Sequence, residues 1–251
     1  ITGVVTGANA IGNLTITKTG GSVVLNNNVD IRRNFTTSNA TSVLNTTGKY
    51  VRVGGNFVNA TGNTTFANTG TTGTLEFYGT AAQTYNQGSS QLDLNFVTMN
   101  HTGAGVTLQT NMFIKTVTGS LTLTLGKIIT GANEVRVLNT APTCVSTGNT
   151  TSYVEGFLRR WVTTGSYDFP VGEAVKGYER ANVTLLTNSN VVNLRANFVQ
   201  YGAVPVPLGV LDCAANFNMN ALDDGKWIIN AYDAALTQIT GTCTYDMTLY
   251  N

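Results

Sequence analysis

Charge is scarce in this chain. Lysine and arginine number 14 and aspartate and glutamate 13, so charged residues make up 11% of the 251 residues, against about 25% in an ordinary soluble domain. A net charge of +1 provides no field to steer the chain to nucleic acid or an anionic membrane. The pairs Arg32-Arg33 and Arg159-Arg160 stand isolated and read as solvated strand edges or turns. No apolar run approaches the ~18 residues of a membrane-spanning helix, so membrane insertion is not expected. Helix signals are nearly absent. The one weak candidate, DCAANFNMNALD at 212–223, reads better as an irregular loop.

Histidine occurs once, as His101 before Thr102-Gly103, where a satisfied surface histidine at a turn is the simplest reading. There is no GxSxG and no HExxH. Three cysteines, Cys144, Cys213 and Cys243, form no CxxC and have no histidine nearby, which argues against zinc. Cys213 and Cys243 flank the last strands and form the best disulfide pair, worth roughly 3–4 kcal/mol in the chain-entropy model. Buried free thiols are the alternative. Cys144, in APTCVSTGNTT, is left over.

Thr, Asn and Gly take the place of the missing charge. Threonine suits a pleated surface, and Gly and Asn take the positive-φ turn positions that other residues resist. Disorder would require low hydrophobicity and high net charge, whereas hydrophobic residues make up 42%. Short alternating strands follow one another: LTIT (14–17), YVRV (50–53), TLEFYG (74–79) and LTLTL (121–125). Period-2 alternation puts one side in and one side out. Strands this short bury no face alone, but stacked coils of ~20–25 residues bury a continuous core.

An internal repeat points the same way. TGGSVVLNNNVDI (19–31) matches TGAGVTLQTNMFI (102–114), pairing Thr19 with Thr102, Val23 with Val106, Leu25 with Leu108 and Ile31 with Ile114. Val51-Arg52-Val53 recurs as Val135-Arg136-Val137. A spacing near 83 residues corresponds to about four coils. A β-sandwich with a duplicated Greek key is the competing architecture.

Beyond 139–152, a linker by composition, the texture changes: both tryptophans and most carboxylates lie past position 150. VNLRANFV (192–199), KWIINAY (226–232) and CTYDMTLY (243–250) read as strands of an antiparallel sandwich. The expectation is an all-β chain with a β-solenoid, or β-helix-like, domain over 1–148 and an antiparallel β-sandwich over 149–251.

The second half carries the phrase GFLRRWVTTGSYDFPVGEAVKGYERANVTL (156–185). It resembles a module of large Bacteroidetes cell-surface and secreted proteins exported by the type IX route. The matching pieces are Arg159-Arg160, Gly165-Ser166-Tyr167-Asp168-Phe169-Pro170-Val171-Gly172, and Tyr178 through Leu185. Lys226-Trp227-Ile228-Ile229 and Thr244 to Leu249 look like its closing strands, and GNFVNATGNTTF (55–66) and GTAAQTY (79–85) resemble the Gly/Thr-rich repeats that precede it. The resemblance implies an extracellular, cell-surface protein and supplies no catalytic residue. The family's C-terminal sorting domain does not appear in this sequence. Within the phrase, Pro170 suits a strand end or turn and Gly165 and Gly172 can supply turn geometry. Tyr167 and Phe169 share one face, most simply the core.

Catalysis would need two acid–base groups within reach of one bond. The first 150 residues hold only Asp30, Glu76, Asp93 and Glu134 as carboxylates, no two of them close in sequence. Stacking alone could bring them together, so no enzyme and no cofactor is expected. Asp223-Asp224-Gly225, with Asp212 and Asp233 nearby, could suggest calcium, but a β-turn explains it and no metal site is expected. Thr15/Thr17 and Thr122/Thr124 do not recur regularly enough for an ice-binding array. Asn-x-Ser/Thr sequons at Asn13, Asn34, Asn45, Asn63, Asn149 and Asn182 follow from composition.

Three functions compete. The first is a structural or adhesive surface protein, with a filament subunit as one form of it, that self-associates or packs on neighbouring domains of a parent protein. Both termini look like cuts through a longer chain, so a partner or preceding domain should cover the first coil. The second is a glycan-binding module whose exposed Tyr50, Tyr78, Tyr85 or Tyr201 line a groove. The third is a polysaccharide-active β-helix enzyme.

Overall fold

The computed structural model describes residues 10–17, 22–38, 43–46, 48–59, 67–68, 71–89, 91–115, 117–188, 190–200, 225–239 and 243–250. Its first part is a β-solenoid of about five turns. Each coil is three short strands separated by corners. The first side carries β1 (Leu14–Ile16), β4 (Phe35–Thr37), β7 (Phe57–Asn59), β11 (Gln83–Asn86), β14 (Val106–Leu108) and the start of β17 (Ile128–Val137). The second side carries β2 (Ser22–Val24), β5 (Val43–Asn45), β12 (Asp93–Leu94), β15 (Met112–Ile114) and the end of β17. The third side is a five-stranded parallel sheet of β3 (Val29–Ile31), β6 (Tyr50–Val53), β10 (Thr74–Phe77), β13 (Phe96–Asn100) and β16 (Ser120–Leu125). A small antiparallel pair, β8 (Ala67–Asn68) and β9 (Thr71–Thr72), sits between β7 and β10.

Register sets the coil length. On the third side Val29 pairs with Val51, Val51 with Leu75, Leu75 with Val97 and Val97 with Leu121, steps of 22, 24, 22 and 24 residues. These residues all point inward and are buried. On the first side Phe35, Phe57 and Tyr85 pair in register. Their rings stack at 4.9 Å and 5.4 Å between centroids, an offset geometry that adds about 0.5–1.5 kcal/mol per pair beyond burial.

Corners explain the asparagine. The Asn13 carboxamide accepts from the Asn34 N–H at 3.1 Å, Asn34 from the Asn56 N–H at 2.8 Å, and Asn56 from the Thr84 N–H at 2.9 Å. A corner amide between strands still needs a partner, and a stacked asparagine in the preceding coil supplies it. Asn13 and Asn34, noted as sequons, are therefore engaged in this ladder.

The long repeat has a different meaning from the expected one. Four steps on the third side run from Val29 to Leu121, so a spacing of 83 falls one side short of four coils. Val23 lies in β2 on the second side and Val106 in β14 on the first. What repeats is the grammar of strand, corner, strand, carried on to a different side.

The second half grows out of the same sheet. β18 (Val154–Trp161) continues parallel to β17, then the sheet forks. One branch is β19 (Gly165–Glu173), β20 (Gly177–Asn188) and β23 (Cys243–Tyr250). The other is β21 (Asn193–Gln200) and β22 (Gly225–Tyr232). A cavity of about 260 Å³ separates them, walled by Val183 and Leu185 on one branch and Leu194 and Trp227 on the other. These strands do not stand apart as the expected sandwich of two sheets; all belong to the sheet that begins at β1. The segment 139–152, expected as a linker, closes the last coil instead. Val145 bridges to Leu121, Asn139 donates to the Gly119 carbonyl, and Cys144 is buried.

Within the Gly165–Gly172 phrase, Tyr167 and Phe169 are fully buried as expected. Pro170 lies inside β19 opposite Arg180, not at a turn. Gly172 is needed for close approach: an added Cβ would lie 2.1 Å from the Gly177 carbonyl oxygen and 2.6 Å from the Tyr153 ring. Gly177, at φ 89°, follows the turn itself.

Candidate functional site

Coil stacking creates a polar cluster on the outer face of the third side. Asp30 pairs in register with Arg52, and Arg52 with Glu76. Alternation points all three outward, between the inward rows Val29–Val51–Leu75 and Ile31–Val53–Phe77. Strands ~4.8 Å apart bring two carboxylates, 46 positions apart in sequence, to either side of one guanidinium. The Arg52 nitrogens lie 3.6 Å from Asp30 Oδ2 and 3.2 Å from Glu76 Oε2. Arg52 also covers the Tyr78 ring at 4.2 Å.

Two tyrosines complete the cluster. The Tyr78 hydroxyl donates to Asp30 Oδ1 at 2.5 Å, the Tyr50 hydroxyl donates to Glu76 Oε2, and Asn100 donates to Glu76 Oε1 at 2.9 Å. Every oxygen of both carboxylates thus has a partner. Both carboxylates are nearly inaccessible, whereas the Arg52 side chain is 32% exposed. Burial, then the Glu76 carboxylate beside it, push the Tyr50 phenol up to about 12. Burial and Asp30 raise Tyr78 in the same direction. A shallow cleft of about 330 Å³ opens beside the cluster, between Asp30, Arg32 and Tyr78.

Of the tyrosines expected to line a groove, Tyr50 and Tyr78 share this face. Tyr85 is buried in the first-side stack, and Tyr201 lies outside the described residues. Arg52 and Asn100 were missed as site residues. The coil step applied to Asp30 lands on Arg52 and then Glu76, and that signal finds Arg52; the next step lands on Thr98, so it does not find Asn100.

Other candidates fall elsewhere. Asp93 pairs with Lys115 at 2.7 Å. Glu134 sits on the second side among Arg136, Arg159 and Arg195. His101 is fully buried, contrary to the surface reading. Its Nε2 lies 2.8 Å from the Ala81 carbonyl, and its Nδ1 accepts from the Gly103 and Gly105 N–H groups. The ring braces a corner and has no free nitrogen.

Arg159-Arg160 is not a solvated pair. Arg160 is fully buried, because it shares its strand face with Val154 and Leu158. Its guanidinium donates to the carbonyls of Asp168, Ala141 and Pro142 and packs against the Tyr167 and Phe169 rings. Burial lowers its affinity for the proton and raises that of the neighbouring Cys144 thiol.

Cys213, and with it the expected bridge to Cys243, lies outside the described residues; Cys243 is half-buried at the start of β23. Asp212, Asp223 and Asp224 also lie outside them. Asp233 caps a tight turn through the N–H groups of Ala235 and Thr237. Among the described residues no cluster of three or more His, Cys, Asp or Glu could hold a metal, and no helix is long and apolar enough to cross a membrane. Thr15 and Thr122 lie on different sides of the coil, so they form no single array. No family model, curated protein or solved structure matches the chain.

Proposed function

We propose that this chain is a non-enzymatic structural and adhesive module of an extracellular, cell-surface protein, with the solenoid as a rigid rod able to serve in a filament. The observation that carries this reading is the Asp30–Arg52–Glu76 cluster. It is the place on the coil where two carboxylates could have formed an acid–base pair, and each of their oxygens is already engaged. Such an arrangement stiffens the stack and ties both carboxylates to Arg52 and the two tyrosines, with one oxygen of Asp30 held by ion pairing alone. The low charge and the resemblance of the Gly165–Gly172 phrase to type IX secreted proteins support the extracellular assignment.

Two measurements test it. Incubation with a panel of neutral and acidic polysaccharides should release no reducing ends and no unsaturated products. Release that disappears in Glu76→Gln would overturn the non-enzymatic reading. Electron micrographs of purified protein should show end-to-end filaments; monomeric particles alone would remove the filament role. A second reading, glycan binding on the third side, is favoured by Tyr50, Tyr78 and Arg52 sharing one outward face. A glycan array on which Tyr78→Ala matches the native protein would dismiss it.

A further inference from the structure

The outer face of the second side has a different chemistry. Phe113 pairs in register with Arg136, Arg136 with Arg159, and Arg159 with Arg195. Three guanidinium groups in adjacent strands surround one buried carboxylate. Glu134 accepts from the Nε groups of Arg136 and Arg159, and Arg195 Nε lies 3.3 Å from Glu134 Oε2 without hydrogen-bond alignment. Three positive charges against one negative leave the patch at +2.

Each guanidinium is packed over a ring. Arg136 lies 4.7 Å from the Phe113 centroid, Arg159 4.2 Å from Tyr232 and Arg195 3.9 Å from Phe157. Arg159 is spoken for: it is 6% exposed and donates through Nη1 to Asn193. Arg136 and Arg195 keep 19% and 28% of their side chains exposed. Among the described residues their terminal amino groups have no hydrogen-bond partner. These are pre-oriented forks of the kind that receive an oxyanion with two parallel hydrogen bonds.

The geometry points to an oxyanion-binding face at Arg136 and Arg195 that takes the sulfate or carboxylate groups of an acidic polysaccharide. The surplus charge selects an anion. The half-buried Trp161 on the same outward face offers apolar surface to the C–H side of a sugar ring. A nucleic acid fits less well. Its uniform phosphate track calls for a long basic stripe, whereas this row of strands ends in the Asp93–Lys115 pair on one side and Asn230 on the other. The inference uses none of the third-side residues and does not depend on the filament reading.

The test is binding of the native protein to dextran sulfate, polygalacturonate and neutral dextran, followed by anisotropy at low and moderate salt. Binding to one or both acidic polymers, weakened by salt and absent for neutral dextran, is expected; which polymer binds separates sulfate from carboxylate. Arg136→Gln and Arg195→Gln should each lose about tenfold in affinity, the worth of a charge-assisted hydrogen bond. Lys176→Gln, the same charge change on an exposed turn, should lose little. In native protein, the arginine side-chain NMR signals of Arg136 and Arg195 should shift on adding the bound polymer's disaccharide while that of Arg180 stays. This readout survives even if a variant fails to fold. No binding to either acidic polymer, equal loss in Lys176→Gln, unmoved Arg136 and Arg195 signals, or tighter binding to single-stranded DNA would each overturn the proposal.

Discussion

Tyr50 couples the third-side cluster to pH in one direction. Its phenol is held up to about 12 by burial and by Glu76, against about 10 in an unfolded chain. The folded state therefore holds that proton more tightly. Its contribution to stability is fully present below pH 10 and is lost as the pH rises from 10 through 12. Urea midpoints should fall between pH 9 and pH 11.5 more steeply for the native protein than for Tyr50→Phe. Parallel slopes would show that the hydroxyl does not couple to folding. Arg52 acts in the same cluster by charge. Arg52→Met strands two inaccessible carboxylates and should cost about 2–4 kcal/mol, discounted from a fully buried pair because Arg52 is partly exposed. Denaturation at neutral pH measures it, and a loss under ~0.5 kcal/mol, the range of an ordinary surface change, would reduce the cluster to decoration.

At the scale of elements, the first-side ladder depends on ring-on-ring contact. Phe57 touches Phe35, Phe77 and Tyr85. Phe57→Ala should cost about 3–5 kcal/mol, transfer plus cavity, and Phe57→Leu much less. Comparable losses for both, read from urea midpoints, would mean that shape and not volume dominates there. Much at this scale was legible in the sequence. YVRV and LTLTL became β6 and β16, and KWIINAY and CTYDMTLY became β22 and β23, because period-2 alternation is a local property. Arg160 is buried, as its parity with Val154 and Leu158 indicates, although its charge pointed to solvent. His101 is buried as well. Its two ring nitrogens are satisfied by backbone groups of other residues, one of them a coil away, and composition does not reveal them.

For the molecule as a whole, the coil was foreseeable and the fork after β18 was not. Short strands that cannot bury a face alone require stacking, so a coil of 20–25 residues followed from strand length and corner spacing. The side on which each strand falls did not follow. First-side steps vary, with Phe35 to Phe57 shorter than Phe57 to Tyr85, and this obscured which side each strand joins. It also made an 83-residue echo look like whole turns. The second half looked separate because its texture changes, yet β17 and β18 pair along both the first and second sides. Backbone continuity of that kind is invisible in composition. It predicts one cooperative unfolding transition for both halves, seen as coincident melts by tryptophan fluorescence, which reports Trp161 and Trp227, and by far-ultraviolet circular dichroism. Two separated transitions would show that the halves fold independently.

The in-register third side carries a consequence for how such a chain can change. Phe77 and Met99 occupy equivalent positions in successive coils. Excising residues 78–99 would therefore join one rung to the next with side-chain parity intact, whereas a cut offset by half a rung would turn the hydrophobic row toward water. Length here is a quantity that gene duplication or deletion can adjust in whole rungs, each rung carrying its own flank chemistry with it: this excision would take Tyr78 from Asp30 and Asp93 from Lys115.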